Sequence, residues 1–418
     1  MSEAFALKAM RPAEVSRHAF SPLLHYNQTK INYKKNAETG VREIVRKFRP
    51  ISYPSHRDAC ILAYYAHILS RALDVVYKGK NISNNVIAYR PLGQANYHFA
   101  AEAMSFAQAH SPATILAFDI SSFFNNLDHF FLKQRLKSLL GVGELSDDWY
   151  KVFRFITNYH YVELEELKAH PMLGPQLKKE KCGPIANLKE LKKEGIAFHR
   201  NPELREGRRR GIPQGTPISA ALSNLYMLQF DEAAKNYCDE IHAFYRRYSD
   251  DILIICKPED ASELETKILN LIAGEKLEIA PSKTEKTLFD KGRLSPRASK
   301  AAQYLGFTFN ESGPSIRGSS LARQWRKMRR AIRHAEKSAL IRQTKGCSGK
   351  IYTKKLYKRF NYIKFYQGDT LCTLKNFASY GRRSAKAFEQ GEQICRQVRR
   401  LERAARREIA KIKTNFST

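Results

Sequence analysis

Two adjacent aspartates, Asp250 and Asp251, lie between runs of apolar residues, and this arrangement restricts the fold more than any other feature of the sequence. The apolar run I-L-I-I follows at residues 252–255, so that residues 242–256 read as two strands meeting at a tight acidic turn. Neighbouring carboxylates repel one another, and burying them is costly unless cations compensate their charge. The pattern therefore predicts a hairpin whose turn binds positive charge.

A third carboxylate ends another apolar run. Residues 114–120 read T-I-L-A-F-D-I, which is typical of a buried strand that ends near Asp119. Two Mg²⁺ ions held about 4 Å apart can clamp the attacking and leaving oxygens of phosphoryl transfer, provided that a carboxylate from a second strand bridges them. Asp119 fits that place if the two strands are neighbours. Taken singly, an Asp-Asp pair also fits an exposed turn, and Asp119 also fits a helix cap or strand end.

The charge of the chain points to a polyanionic partner. Lys and Arg number 72 against 41 Asp and Glu among 418 residues, a net charge of +31. Residues 311–418 alone hold 28 basic and 7 acidic residues. An apolar stripe at helical spacing (Leu321, Trp325, Met328, Ile332) runs through this region beside many arginines. We therefore predict a helical region with one face for packing and another for phosphate, although charge alone also fits a merely basic soluble protein.

Composition also indicates the compartment. The seven cysteines include no C-x-x-C pair, so neither a zinc ribbon nor a disulfide framework is indicated. No stretch approaches about 18–20 continuous apolar residues, and the N-terminus lacks a cleavage-site pattern. We expect a cytoplasmic protein without a membrane partner.

Hydrophobic periodicity predicts the main elements. We expect a basic hairpin over residues 31–53, helices over 58–78 and 219–237, and a strand over 304–309. Residues 163–210 are rich in Lys, Arg, Pro and Gly, which favours an insertion or a long surface loop.

Five segments in this order resemble the motifs of reverse transcriptases. Y-S-D-D at residues 248–251 is similar to their Y-x-D-D motif, and A-F-D-I-S-S-F-F at 117–124 to their first palm motif. The other three are G-I-P-Q-G-T-P-I-S at 211–219, A-P-S-K-T at 280–284, and Y-L-G-F at 304–307. The resemblance implies an α+β right-hand polymerase, with the reverse transcriptase domain at about residues 31–310. It implies an N-terminal segment and fingers at 1–112, a palm with an antiparallel sheet and a fingers insertion at 113–310, and a basic helical thumb or RNA-binding region at 311–418.

The resemblance also implies roles for individual residues. Asp119 and Asp250 would hold two Mg²⁺ ions with the backbone carbonyl of Ile120, and Asp251 would support them. Phe124 would exclude a 2′-hydroxyl and so favour deoxynucleotides, although a core position also fits it. Gln214 and Gly215 would line the nucleotide pocket. Arg49 would contact the triphosphate, and Lys35 is a second candidate for that role. Lys283 would protonate the leaving pyrophosphate.

The type of reverse transcriptase is inferred from resemblance alone. R-P-I-S-Y-P-S-H-R-D at residues 49–58 and N-N-V-I-A-Y-R at 84–90 look like segments of stand-alone bacterial enzymes of the defence-associated group. This implies a structured non-coding RNA as template, with a primer, a DNA product and dNTP substrates as further partners. The alternatives are a group II intron-type maturase and a non-catalytic RNA-binding protein on the same scaffold. Protein partners are not indicated, and the 21 tyrosines offer no choice of a hydroxyl from which synthesis would start.

Overall fold

The computed structural model describes residues 3–35, 40–178, 186–280, 284–290, 293–294, 301–310, 313–347 and 350–416. The elements before residue 113 are α1 (Glu3–Ala9), α2 (Pro12–Ser16), β1 (Leu23–Lys35), β2 (Arg42–Tyr53), α3 (His56–Gly79) and α4 (Asn96–Ala109). Those up to residue 240 are β3 (Ala113–Asp119), α5 (Phe123–Asn126), α6 (His129–Leu140), α7 (Asp147–Thr157), β4 (His160–Glu163), α8 (Leu164–Ala169), α9 (Leu173–Lys178), α10 (Leu188–Lys193), β5 (His199–Arg200), α11 (Pro202–Arg205), α12 (Ser219–Tyr226) and α13 (Leu228–Glu240).

The remaining elements begin with the hairpin that carries the acidic turn. They are β6 (Phe244–Tyr248), β7 (Asp251–Cys256), α14 (Ala261–Gly274), β8 (Glu285–Asp290), β9 (Arg293–Leu294), β10 (Ala302–Tyr304), β11 (Phe307–Asn310), β12 (Gly313–Ile316), α15 (Gly318–Thr344), α16 (Lys354–Phe360), β13 (Lys364–Gln367), β14 (Thr370–Thr373), α17 (Phe377–Ala387) and α18 (Glu392–Asn415).

An antiparallel sheet in the order β6-β7-β3-β8-β9 lies at the centre of the fold. Alternate residues of β3 face opposite sides, so that Leu116 and Phe118 enter one core while Ala113 and Ile115 enter another. Because both faces of the sheet are covered, its central strands are apolar along their length. This sheet and the helices packed on it confirm the predicted α+β class.

Helix α3 crosses the larger core. Its residues Ile61, Tyr65, Leu69, Leu73 and Tyr77 recur at a spacing of four and are buried there. By length and composition alone, α3 is long and apolar enough to cross a membrane, and 28% of its most apolar window is buried in the protein. The buried stripe packs α3 into the larger core.

The basic hairpin exists as predicted but starts earlier, because β1 runs from Leu23 and pairs with β2 from Tyr53 to Arg42. The predicted turn falls largely on residues 36–39, which lie outside the described residues. β1 also pairs with β4, which joins the hairpin to the segment that follows α7. The hairpin is therefore anchored at its base, and residues 43–50 of β2 are exposed.

The middle of the chain differs in part from the prediction. Residues 163–210 were expected to form an insertion or a long surface loop; α8 to α11 and β5 lie there and enclose a small core of Val162, Leu167, Leu173 and Ile196, so the segment is not a loop. The helical prediction for 219–237 is confirmed, except that the helix is divided at Met227 into α12 and α13. The side chain of Arg135 donates a hydrogen bond to the Tyr226 carbonyl, an acceptor that a continuous helix would use itself.

The basic C-terminal region is built mainly from helices. Met328 and Ile332 of α15 pack with Leu401, Ala405 and Ile409 of α18 in a core of their own, in agreement with the predicted stripe. The region also contains the exposed hairpin β13–β14. β12 pairs with β11, so one sheet crosses the boundary that the sequence suggested at residue 310.

Candidate active site

The structure brings the three predicted aspartates together at one end of the central sheet. Asp119, the last residue of β3, is paired with Asp251, the first residue of β7. Asp250 lies in the two-residue turn between β6 and β7, and its carbonyl oxygen accepts a hydrogen bond of 3.0 Å from the Ile120 amide. Residues more than a hundred positions apart therefore meet because β3 and β7 are neighbours.

This end of the sheet offers the ligands that hard divalent cations prefer. Three carboxylates and the Ile120 carbonyl are oxygen donors, which suit Mg²⁺ better than the nitrogen and sulfur ligands of zinc sites do. In the described part of the chain, no three His, Cys, Asp or Glu side chains are grouped so that they could hold a metal ion. The candidate site is therefore defined by the backbone pairing of β3 with β7.

A buried ion pair stabilises the acidic turn from the interior of the protein. Arg247 of β6 is fully buried, and its Nε and Nη2 atoms donate to the two carboxylate oxygens of Asp231 on α13 at 2.6 Å each. Its Nη1 atom donates to the carbonyl oxygen of Ser249 at 3.0 Å. Burial alone would lower the pKa of Arg247, but the charge of Asp231 outweighs it and the pKa is raised. The charged guanidinium therefore holds the backbone immediately before Asp250.

The backbone at this turn is itself unusual. Ser249 is buried and has a φ of +61°, a left-handed value that costs a non-glycine residue roughly 1–2 kcal/mol. Such a conformation persists where surrounding contacts fix it. The Arg247 hydrogen bond is one of these contacts, which makes Arg247 a positioning residue for Asp250.

Sequence reasoning missed the Arg247–Asp231 pair, although a signal for it was present. Arg247 falls within the short strand F-Y-R-R-Y, whose other residues are three aromatic residues and Arg246, and Asp231 falls next to Phe230 on the buried face of α13. A charged residue at a core position is costly unless it is paired. Two such residues of opposite charge predict a buried ion pair, but nothing in the sequence shows that they meet.

The segment with Gln214 and Gly215 lies against the hairpin strand β2. The Ser52 amide donates to the Gln214 carbonyl at 2.8 Å. A Cβ atom on Gly215 would lie 3.0 Å from both the Ser52 carbonyl oxygen and the Ile51 side chain, and the φ of Gly215 is +116°. Glycine is therefore required here by the approach of the hairpin backbone. Its predicted role beside a nucleotide stays a prediction.

Phe124 lies in the short helix α5, five residues after Asp119. Its ring is half-buried and packs edge-on against the buried ring of Phe123, with centroids 5.5 Å apart. The Phe124 carbonyl accepts a hydrogen bond of 2.9 Å from the Ile212 amide. Of the two rings, Phe123 is thus the core residue, and Phe124 is the partly accessible one beside the Gln214 segment.

The basic residues predicted to bind the triphosphate or to donate a proton lie in different environments. Arg49 is exposed on β2, and the backbone of Lys35 ends β1 while its side chain lies outside the described part of the structure. Lys283 lies outside the described residues altogether. Burial lowers the pKa of Lys30, and neighbouring positive charges lower it further: those of Arg323, Arg317, Lys47 and Arg49. The hairpin and the start of α15 therefore face each other with like charges, a suitable place for a polyanion.

A second basic surface runs between α15 and α18. This arginine groove is lined mainly by arginines from both helices, with one tryptophan and one alanine: Trp325, Arg329, Arg396, Arg399, Arg400, Arg403, Ala404 and Arg407. Arg329 lies over the ring of Trp325 at 5.7 Å. On α15, Trp325 and Arg329 lie about 120° or more around the helix from Arg323, the residue that faces the hairpin. The groove is therefore a separate surface.

Comparison with known proteins identifies the family. Residues 33–309 match the family model described as "Reverse transcriptase (RNA-dependent DNA polymerase)". No curated protein matches the chain.

The similar solved structures are distant. Apo telomerase from Candida tropicalis, truncated from its C-terminal domain, is 12% identical with a TM-score of 0.42; the match covers 68% of this chain and 53% of that one. Telomerase from Candida albicans in complex with a TWJ fragment of telomeric RNA is 11% identical with a TM-score of 0.45, and the match covers 98% of this chain and 59% of that one. The chain thus spans little more than half the length of these telomerases.

The family model covers well over half of the chain, including the β3 and β6–β7 segments that carry the three aspartates. It also includes the Gln214 segment and most of the basic hairpin. The prediction made from the five motifs is confirmed at the level of the family: this chain belongs to the reverse transcriptase (RNA-dependent DNA polymerase) family.

Proposed function

We propose that this protein is an RNA-templated DNA polymerase that extends a primer with deoxynucleotides. The observation that carries the proposal is the register of β3 and β7, which places Asp119 opposite Asp251 and beside Asp250. Family membership supports RNA as the template and DNA as the product.

Two Mg²⁺ ions are the proposed cofactors, held by Asp119, Asp250, Asp251 and the carbonyl of Ile120. When bound, they would supply the positive charge that activates an attacking hydroxyl and neutralises the departing pyrophosphate. The contribution of the chain itself is to keep the carboxylates at adjacent strand ends and to fix their turn through Arg247. Positioning and charge neutralisation account for most of the catalysis of phosphoryl transfer.

The proposed nucleotide site lies between the sheet and the hairpin. Phe124 is the proposed barrier to a 2′-hydroxyl, because its ring is half-buried and its backbone carbonyl accepts a hydrogen bond from Ile212, two residues before Gln214. Arg49 is proposed to bind the triphosphate, since it belongs to the cluster of like charges between the hairpin and α15. Lys283 stays a proposed proton donor on resemblance alone.

The proposed biological role is narrower. We propose that the template is a structured non-coding RNA of a bacterial antiphage defence system, and that the protein works in the cytoplasm. The support is the resemblance of residues 49–58 and 84–90 to defence-associated enzymes, together with two basic surfaces for RNA. Part of this resemblance has a structural role: Ser55 caps α3 by accepting from the Asp58 amide at 3.2 Å, and Asp58 accepts from His18 at 2.8 Å.

An extension assay tests the catalytic proposal. With Mg²⁺, an RNA template and an annealed DNA primer, the wild-type protein should incorporate dNTPs in preference to rNTPs. Asp250→Asn with Asp251→Asn should abolish synthesis while RNA binding, measured by fluorescence anisotropy, is kept. Asp369→Asn is the matched control, because Asp369 is exposed in the β13–β14 turn. Synthesis by the double variant would overturn the assignment of the acidic site, and RNA binding without any incorporation by the wild type would favour a binding protein.

A separate experiment tests the biological role. RNA that co-purifies from the native bacterium should be dominated by one structured transcript, and phage plating should rise when the aspartates are replaced. Plating that is equal for the wild type and the double variant would contradict the defence proposal and leave the polymerase proposal intact.

A further inference from the structure

The hairpin β13–β14 of the C-terminal region exposes aromatic and apolar side chains to solvent. Phe365 is 42% exposed, Tyr366 73% and Leu371 50%. Tyr366 is paired with Leu371 and shares a face of the hairpin with it, whereas Phe365 is paired with Cys372 on the opposite face. Apolar side chains are therefore accessible on both faces of the hairpin.

These two strands form a sheet of their own. In the part of the chain that the structure describes, neither β13 nor β14 pairs with a further strand, and all four residues of β13 are exposed. An isolated two-stranded hairpin is at best marginally stable in water, and contiguous exposed apolar surface commonly marks an interaction site. The hairpin is therefore suited to a partner that covers its aromatic side chains.

The base of the hairpin is fixed to helix α18. The Tyr362 amide donates a hydrogen bond of 2.6 Å to a carboxylate oxygen of Glu402, a buried residue of that helix. At the end of β14, the Leu374 amide donates to the Ile363 carbonyl at 3.0 Å. The hairpin thus has a defined place beside α18, while its strands stay exposed.

The same helix connects the hairpin with the arginine groove. Arg406 of α18 donates a hydrogen bond of 2.9 Å to the side chain of Asn361, which precedes the hairpin. Arg399 and Arg403 line the groove, and they precede Arg406 by seven and three positions. Residues at these spacings lie on one face of a helix, and all three arginines are exposed. One basic face of α18 therefore leads from the groove to the base of the hairpin.

The charge around the hairpin favours one class of partner. Residues 354–375 contain six basic residues and one acidic residue, and Lys364 lies on β13 itself. Aromatic side chains on a basic surface are the combination that binds single-stranded nucleic acid, because bases stack on the rings while phosphates pair with the cations. An apolar protein surface would complement the rings but not this surplus of positive charge.

We propose that the β13–β14 hairpin binds unpaired bases of an RNA whose paired stem lies in the arginine groove. Phe365 and Tyr366 provide the stacking surfaces, and the arginines of the groove and of α18 contact phosphates of the stem. This inference rests on the proposed RNA-templated function, and it specifies the RNA feature that the C-terminal region recognises as a junction between a duplex and a single strand. Because every base can stack, the recognition depends on the shape of the RNA rather than on its sequence.

Binding of two synthetic RNAs to the full-length protein tests the inference. One RNA is a blunt duplex, and the other is the same duplex with a single-stranded extension. Fluorescence anisotropy at several salt concentrations gives the Kd of each. For the wild type, the extension should tighten binding on the order of 5- to 150-fold for each stacked base. Ultraviolet cross-linking followed by peptide mass spectrometry should place the extension on the peptide that contains Phe365 and Tyr366.

Paired variants separate stacking from charge and from folding. Phe365→Leu with Tyr366→Leu keeps an apolar surface without rings and should weaken binding of the extended RNA by that factor. The Kd of the blunt duplex and the slope of log Kd against log salt should not change, because no charge is lost. Phe365→Trp with Tyr366→Trp should bind the extended RNA as the wild type does. Phe130→Leu is the matched control, because Phe130 on α6 is 63% exposed and lies outside the C-terminal region.

Several results would overturn the inference. They are a leucine variant that binds the extended RNA as tightly as the wild type, a wild type that binds both RNAs equally, and cross-links that fall on other peptides. A wild-type dimer in sedimentation velocity that the leucine variant abolishes would also overturn it, because a second copy of the chain would then cover the hairpin.

Extension of an annealed primer on an unstructured template distinguishes this inference from the proposed function. The leucine variant should extend that primer at the wild-type rate, because the stacking surfaces take no part in the chemistry. A wild type that extends no primer would overturn the polymerase proposal, whereas the hairpin inference would stand or fall on the binding results.

Discussion

Replacing Asp231 by Asn tests what the buried ion pair contributes. The substitution keeps the size of the side chain but leaves the charge of Arg247 without compensation in a fully buried position. Breaking one side of a buried ion pair costs about 3–5 kcal/mol of unfolding free energy. We therefore expect Asp231→Asn to lower the melting temperature strongly and to reduce activity as a consequence.

Replacing both members of the Arg247–Asp231 ion pair separates its effect on stability from its effect on the position of Asp250. The triple variant Arg247→Met, Asp231→Leu, Tyr245→Phe replaces both charges and the hydroxyl that donates to Asp231 at 2.6 Å. Apolar replacement of a buried ion pair is often neutral for stability, so the melting temperature should return towards that of the wild type. The 3.0 Å hydrogen bond to the Ser249 carbonyl is lost here as well. A bond from a charged donor contributes about 1.5–3 kcal/mol, which corresponds to a roughly 10- to 150-fold lower rate if the bond acts in the transition state.

Thermal unfolding and single-turnover extension of an annealed primer, measured on the same preparations, provide the two readouts. Glu402→Gln is the matched control, because Glu402 is a buried carboxylate paired with Arg382 at 2.7 Å in the C-terminal region. It should lower the melting temperature without changing the single-turnover rate. A triple variant that extends primers at the wild-type rate would show that the pair acts on stability alone. One that unfolds as readily as Asp231→Asn would contradict the apolar-replacement argument.

Three further predictions concern the surfaces around the acidic turn. Phe124→Ala should relax discrimination against rNTPs, on the order of 10- to 200-fold, because a local steric contact is removed; competitive incorporation of dNTPs and rNTPs measures it, and unchanged selectivity would exclude the barrier role. Gly215→Ala should cost about 1–3 kcal/mol, since the φ of +116° and the 3.0 Å approach of Ser52 leave no room for Cβ; the expected signs are a lower melting temperature and a higher KM for dNTPs, whereas wild-type values for both would refute the contact. Replacing Arg399, Arg400 and Arg403 by Gln should weaken RNA binding and reduce the slope of log Kd against log salt by about 2–3; anisotropy titrations at several salt concentrations measure the slope, and an unaltered slope would show that the arginine groove does not contact phosphate.

The central sheet was predictable because its signals are local. The apolar runs before Asp119 and after Asp251 specify strands, and the tight turn at Asp250 specifies a hairpin. The pairing of β3 with β7 could not be predicted from local signals. Only the resemblance to a family indicated that these strands are neighbours. The structure within residues 163–210 was not predicted, because charged and turn-forming residues concealed a few apolar positions that close a small core.

The side chains that would ligate cations could be predicted from the sequence. The residues that hold those side chains and their backbone in place were less predictable. Gly215 was expected to lie beside a nucleotide, which stays a prediction, and its close approach to Ser52 was not expected from the sequence. The contact of Tyr89 with Ser249 joins residues 160 positions apart and leaves no pattern in the sequence. Such long-range contacts depend on packing that local propensity does not encode.

The contact between β2 and the Gln214 segment couples the movement of the hairpin to that segment. β2 has 12 residues, and at about 3.3 Å per residue it extends roughly 40 Å from its base to its tip. The base of β2 packs closely at Ser52 against Gln214 and Gly215. A tilt of the strand would therefore move Gln214 as well, by a small fraction of the distance that the tip moves. An RNA bound at the distal end of the hairpin would therefore be mechanically connected to the Gln214 segment.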